Sequence, residues 1–126
     1  MKLKSEFNGN LVQNLEGRSG YVISVCFNHD GSQVASGTED NTVKAWNTNT
    51  GQIHTLEGHD DVVRSVCFNH DGRQVASGSA DNSVKVWSAK TRCLVKTLGC
   101  HSDTVWSVCF NHDGSQVVSG SQDKTV

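Results

Sequence analysis

Apolar and polar positions alternate in short runs along this chain, and the runs recur. The stretch SVCFNHDG occurs at residues 24–31, 65–72 and 107–114, and QVASG or QVVSG follows one residue later each time. Its serines are spaced 41 and then 42 residues apart, a period that points to a repeat architecture. In the middle copy, 52–56 (QIHTL) is a short alternating run and 57–61 (EGHDD) is polar and turn-like. Residues 62–68 (VVRSVCF) are rich in β-branched and aromatic side chains and read as a strand. Residues 69–72 (NHDG) end in Asp-Gly, a tight-turn pair, and 74–78 (QVASG) form the next strand. A second tight turn at 80–82 (ADN) leads into a strand at 83–87 (SVKVW), and the pattern restarts at 93–98 (CLVKTL). No segment keeps a helical period over eleven residues. Four strands per repeat predict an all-β chain. Val62, Val63, Val66, Cys67 and Phe68 are apolar on both faces of their strand, which predicts sheets covered on both sides by neighbouring sheets.

Composition adds boundaries to this picture. With 126 residues, 35% hydrophobic and 19% charged, the chain suits one globular domain with no transmembrane run. The opening MKLK is not followed by an apolar stretch, so no signal peptide is read and a cytoplasmic location is expected. The net charge is −2 and no Lys/Arg block stands out, so neither nucleic acid nor membrane is expected as a partner. Proline is absent and glycine numbers twelve, which leaves the turns to Gly, Asp and Asn. Of the five cysteines, Cys26, Cys67 and Cys109 recur at one place in the repeat and read as reduced, buried small hydrophobes. Equivalent positions one repeat apart are expected to be too far for a disulfide. Cys93 and Cys100 show no CxxC spacing.

Gly58-His59, followed through QVASGSADNSVKVW to Trp87, resembles a WD-repeat unit. Such a unit has roughly 40–45 residues, GH and WD signatures and four strands per propeller blade. The resemblance covers the whole chain. It implies β-propeller blades of four antiparallel strands, three blades' worth per chain, with the first strand of each repeat serving as the outer strand of the preceding blade. The blades would be 21–56, 62–98 and a split blade 104–126. The signatures depart from the pattern in places. The first copy has Gly17-Arg18, the third has Cys100-His101, and the closing dipeptides are Trp46-Asn47 and Trp87-Ser88.

The two ends of the sequence fit each other. KLKSEFNGNLVQNL aligns without a gap on KVWSAKTRCLVKTL at 85–98, so that Lys2 corresponds to Lys85 and Val126 to Val84. Three blades would each have to fill about 120° of a ring, outside the usual range of about 4–8 blades. Head-to-tail self-assembly is therefore expected, with residues 2–15 of a neighbouring chain completing 104–126. A dimer giving six blades is favoured, and a trimer giving nine is second. The closeness of the fit also suits a trimmed or engineered repeat unit.

The resemblance implies an internal hydrogen-bond tetrad at His59, Ser77, Asp81 and Trp87, with partial sets at Ser36, Asp40 and Trp46 and at His101, Ser119 and Asp123. Arg18 takes the histidine position in the first copy, and Lys4 takes the tryptophan position in the third by the end alignment. A catalytic Ser-His-Asp reading fails because the serine lies mid-strand and the set recurs by repeat. The turn residues His29, His70 and His112 read as solvent-exposed. As ligands they would need to converge at about 2.0–2.1 Å from zinc, which repeats spread around a disc do not supply. Asp40, Asp81 and Asp123 lack the DxDxDG pattern of a calcium loop. No metal, cofactor or catalytic residue is expected, and the chain reads as no enzyme.

What remains are positions that change while their surroundings stay constant: Tyr21, Val62 and Thr104; Ile23, Arg64 and Trp106; Glu39, Ala80 and Gln122. In WD-repeat proteins the equivalent positions lie on the top face around the central channel and often contact partners. Trp106 and Arg64 are types favoured at binding hot spots. Two readings of these positions stand: partner contact, or drift with Trp106 packed between blades. The expected function is a non-enzymatic protein-interaction scaffold, self-assembling into a closed propeller, with an unknown protein or peptide partner. The alternative is a structural or engineered self-assembling unit with no ligand of its own.

Overall fold

The computed structural model describes residues 2–7, 10–16, 21–99 and 101–123, with the side chains of 21–99 and 101–123. Twelve strands and no helix form among these residues. Strands β3 (Val22–Phe27), β4 (Gln33–Thr38), β5 (Val43–Asn47) and β6 (Ile53–Leu56) make one antiparallel sheet in chain order. Strands β7 (Val63–Phe68), β8 (Gln74–Ser79), β9 (Val84–Ser88) and β10 (Leu94–Leu98) make a second. Strands β11 (Val105–Phe110) and β12 (Val117–Ser121) pair with each other, as do β1 (Lys2–Phe7) and β2 (Asn10–Glu16). The sheets of four antiparallel strands are consistent with propeller blades.

The constant NHDG stretch is a turn in which the flanking polar groups each have a backbone task. Asn28, Asn69 and Asn111 accept at Oδ1 from the amides of Gln33, Gln74 and Gln116, each at 3.0 Å. Asp30, Asp71 and Asp113 accept at Oδ1 from the amides two residues on, each at 2.9 Å. Gly31, Gly72 and Gly114 sit at φ of 75°, 73° and 74°, where a side chain would be strained. The second turn uses Asn41 and Asn82 at φ of 74° and 73°, a role asparagine tolerates.

Burial follows from stacking. The second strand of each four-stranded sheet is covered from both sides, and Val34 to Thr38 and Val75 to Ser79 are all buried. Small residues fit there because the next sheet comes close. A Cβ on Gly37 would lie 2.7 Å from Val63 Cγ1, and one on Gly78 would lie 2.6 Å from Val105 Cγ1. Ala35, Val43 and Leu56 of the first sheet pack with Val63, Val66 and Phe68 of the second, and Ala76 and Val84 pack with Val105 and Val108 of β11. Hydrogen bonds join successive first strands as well. The Val66 amide donates to Ser24 Oγ at 3.3 Å, and the Val108 amide donates to Ser65 Oγ at 3.1 Å.

Among the described residues, the two ends of this stack are uncovered. Val25 is 55% exposed, whereas its counterpart Val66 is 5% exposed. Phe27 is exposed where Phe68 is buried. At the other end Val118 is exposed where Ala35 and Ala76 are buried, and nothing lies within 4 Å of a Cβ built on Gly120.

The β1–β2 hairpin differs from the end alignment in register. Leu98 faces Val84, whose counterpart Val126 lies outside the described residues. Leu15 instead faces Leu3, two residues along from the position the alignment assigns.

Candidate functional site

In the middle blade, four side chains form one continuous chain of hydrogen bonds. Trp87 Nε1–H donates to Ser77 Oγ at 2.8 Å, and Ser77 Oγ lies 2.7 Å from His59 Nε2. His59 Nδ1 lies 2.8 Å from Asp81 Oδ2. With the serine hydroxyl donating to Nε2, the neutral imidazole carries its proton on Nδ1 and donates to the carboxylate, so each atom in the chain is satisfied. Burial of His59 holds its pKa below the ordinary histidine value, although Asp81 beside it pulls the other way. Burial would raise the Asp81 carboxyl, but the Ser83 hydroxyl, the Asp60 amide and His59 outweigh it and hold its pKa at about 2. Asp81 also closes its own turn, accepting from Ser83 N at 2.9 Å and from Asp60 N at 2.9 Å.

The order Ser77–His59–Asp81 resembles the connectivity of a hydrolase triad, but its setting does not suit such chemistry. Ser77 is fully buried and the His59 side chain is 0% exposed. The serine oxygen already accepts from Trp87. A nucleophile needs a substrate beside it and an oxyanion hole, and a serine sealed mid-strand has room for neither.

The other sets are arranged differently. Trp46 Nε1 donates to Ser36 Oγ at 3.0 Å, and both residues are buried. Asp40 turns to local partners: the Thr38 hydroxyl, the Thr42 hydroxyl at 2.5 Å, and Lys44 Nζ at 3.5 Å. Arg18 lies outside the described residues. In the third copy, His101 Nε2 lies 2.8 Å from Ser119 Oγ, and Nδ1 lies 3.1 Å from Asp123 Oδ2. The Lys4 side chain also lies outside the described residues. The hydroxyls of Thr38, Thr42 and Ser83 that hold these aspartates were not singled out in the sequence. Neither were Ser24 and Ser65, although a polar residue recurring at one place in a strand was a readable signal.

Two expectations about recurring residues are corrected. Cys26 and Cys67 are half-buried, while Cys109 and Cys93 are exposed, so the cysteines are not simple core hydrophobes. Cys100 lies outside the described residues. The inner strands β3, β7 and β11 pack side by side. The neighbouring Cys67 thiol lowers the Cys26 pKa to about 6 against the opposing effect of burial, and Cys67 is raised in turn. Iodoacetamide labelling followed across pH is expected to give Cys26 an apparent pKa well below that of an ordinary thiol. In Cys67→Ala that value should return towards the ordinary one, and no change between the two proteins would refute the pairing.

The histidines of the three turns are exposed, yet they are not spread apart. The ring centroids of His29 and His70 lie 4.7 Å apart, and those of His70 and His112 lie 4.9 Å apart. Even so, among the described residues no group of three or more His, Cys, Asp or Glu is placed to hold a metal ion.

The variable positions gather at the opposite end of the inner strands from these histidines. Backbone hydrogen bonds pair Glu39 with Tyr21 at 3.1 Å, Ala80 with Val62 at 2.8 Å and Gln122 with Thr104 at 3.1 Å. Tyr21 and Ile23 are exposed. Trp106 is 49% exposed, in contrast to the buried Trp46 and Trp87, so it does not pack between the described blades. Its Nε1 donates to Gln122 Oε1 at 3.1 Å, and Arg64 Cζ stands 4.7 Å from the ring centroid.

Three consecutive stretches, residues 9–47, 50–88 and 92–126, match the family description "WD domain, G-beta repeat". Over 49 residues, 39% of its length, the chain is 47% identical to the vegetative incompatibility protein HET-E-1 of Podospora anserina, of which it covers 4%. Over 52 residues, 41% of its length, it is 33% identical to a bromodomain and WD repeat-containing protein of Dictyostelium discoideum, of which it covers 2%. The chain thus spans a small fraction of the length of these curated relatives.

Proposed function

Because this chain belongs to the WD domain, G-beta repeat family, we propose that it is a non-enzymatic protein-interaction scaffold whose copies join head to tail into a closed propeller in the cytoplasm. WD repeats generally mediate protein–protein interaction. The observation that carries the assembly is the likeness between the bare ends of the stack and its internal seams. Val22, Val25 and Phe27 are the counterparts of Val63, Val66 and Phe68, which are buried between blades. At the far end, the open space over Gly120 is the counterpart of the space that Val63 fills over Gly37 and Val105 fills over Gly78. Ser107 is exposed at the place where Ser24 and Ser65 bond the next blade's amide. A second copy would therefore repeat a contact the chain already makes twice. The paired strands β11 and β12, joined by β1 and β2 of that copy, would complete a blade of four.

Light scattering after gel filtration tests the assembly. The expected mass is two or three times 13.6 kDa. Val25→Asp, which alters a side chain already exposed within one chain, is expected to reduce it to 13.6 kDa without changing the circular dichroism. A well-behaved monomer of the unaltered chain would sink the closed ring and leave the family assignment untouched.

A further inference from the structure

We propose that Arg64 and Trp106 form a seat for a single carboxylate side chain, so that the partner of this scaffold presents an Asp or Glu flanked by an apolar residue. The inference rests on the interaction-scaffold reading and specifies its chemistry. Arg64 is the second residue of β7, Ile23 is the residue before Ser24 at the same place on β3, and Trp106 occupies that place on β11. An apolar, a cationic and an aromatic side chain thus stand in a row across three inner strands. The indole is fixed from below by its hydrogen bond to Gln122. The guanidinium lies against the ring, which orients its planar fork and lowers the entropy lost on binding.

Among the described residues the cation has no anionic partner. Arg64 Nε is buried with no hydrogen-bond partner, and no ion pair joins Arg64 to any described carboxylate. Arg64 is only partly buried, and an incoming carboxylate can meet its terminal nitrogens end-on with two parallel hydrogen bonds. Tyr21, Ile23 and the open part of the Trp106 ring supply apolar surface beside that point. The surroundings also limit the charge. Glu39, Asp61 and Asp103 are exposed at the same end of the strands, and they would repel a polyphosphate or nucleic acid while admitting one carboxylate.

The test uses the peptide acetyl-Leu-Glu-Phe-amide and its twin with Gln in place of Glu. Trp106 is the exposed tryptophan among three, so its emission reports occupancy. The Glu peptide is expected to change that emission saturably at millimolar concentration, with an affinity about tenfold or more above that of the Gln twin. Arg64→Met should abolish the preference while leaving the circular dichroism and the assembly mass unchanged. Nuclear magnetic resonance shifts of the β7 and β11 amides give a second readout. Equal binding of both peptides would keep a protein-binding surface but overturn the carboxylate seat. Retained preference in Arg64→Met, or no saturable response to either peptide, would overturn it too.

Discussion

Ser77→Ala is expected to lower stability by about 2–5 kcal/mol, because it strands two buried groups at once. The Trp87 indole loses its acceptor and His59 Nε2 loses its donor, and both residues are buried away from water that could replace the hydroxyl. Ser36→Ala is the internal comparison. Ser36 accepts from Trp46, and its loss strands that one indole, at a cost of about 1–3 kcal/mol. Urea unfolding of the two variants, with the slope unchanged, measures the difference. Equal losses would mean that His59 and Asp81 add nothing to the set.

The same set makes the fold sensitive to acid, and the signs agree. His59 has a folded pKa below its ordinary value. The unfolded chain therefore takes up this proton first, and stability falls as pH drops through the histidine range. Asp81 has a folded pKa of about 2. Its contribution is intact above an ordinary aspartate pKa of about 3.9 and is lost as pH falls towards 2. With the carboxylate 10% exposed, that contribution is about 1–2 kcal/mol once solvent screening is allowed for. Asp81→Asn should flatten this lower arm of the pH–stability curve and leave the histidine arm in place.

The second large effect separates two glycines that the sequence makes equivalent. Gly78→Ala would put a methyl group 2.6 Å from Val105 Cγ1 and 2.9 Å from Val108 Cγ1. Valine has little freedom to swing away, and overpacking of this kind costs about 1–3 kcal/mol. Gly120→Ala meets nothing within 4 Å, so the unassembled chain should melt as before. If the ring forms as proposed, the new methyl group would meet Val22 of the neighbouring copy, and the assembly mass should fall. Light scattering and thermal melting of both variants separate the cases. An unchanged assembly in Gly120→Ala would remove this seam from the proposal.

Much of the fold was legible because repetition multiplies weak signals. Alternation in a single five-residue strand is ambiguous, but the same strands and turns in three copies are not. The strands read at 62–68 and 74–78 appear as Val63–Phe68 and Gln74–Ser79. The NHDG turn was readable because Asn, Asp and Gly each satisfy a local backbone demand that depends on neighbours in sequence alone. The tetrad positions came from the family resemblance, and their contacts span elements up to 22 residues apart.

The sequence by itself determined the strands, their turns and the constancy of the repeat, since these depend on local backbone conformation and on residue type. Only the tertiary structure decided how equivalent positions differ in surroundings from one repeat to the next. The turn histidines of successive repeats come together because the inner strands pack side by side. Val25 stands bare while Val66 is buried, although both lie in the same SVCF, because burial depends on which sheet stacks alongside. Arg64 Nε is left without an acceptor and its guanidinium lies against Trp106, a pairing set by packing between strands roughly forty residues apart.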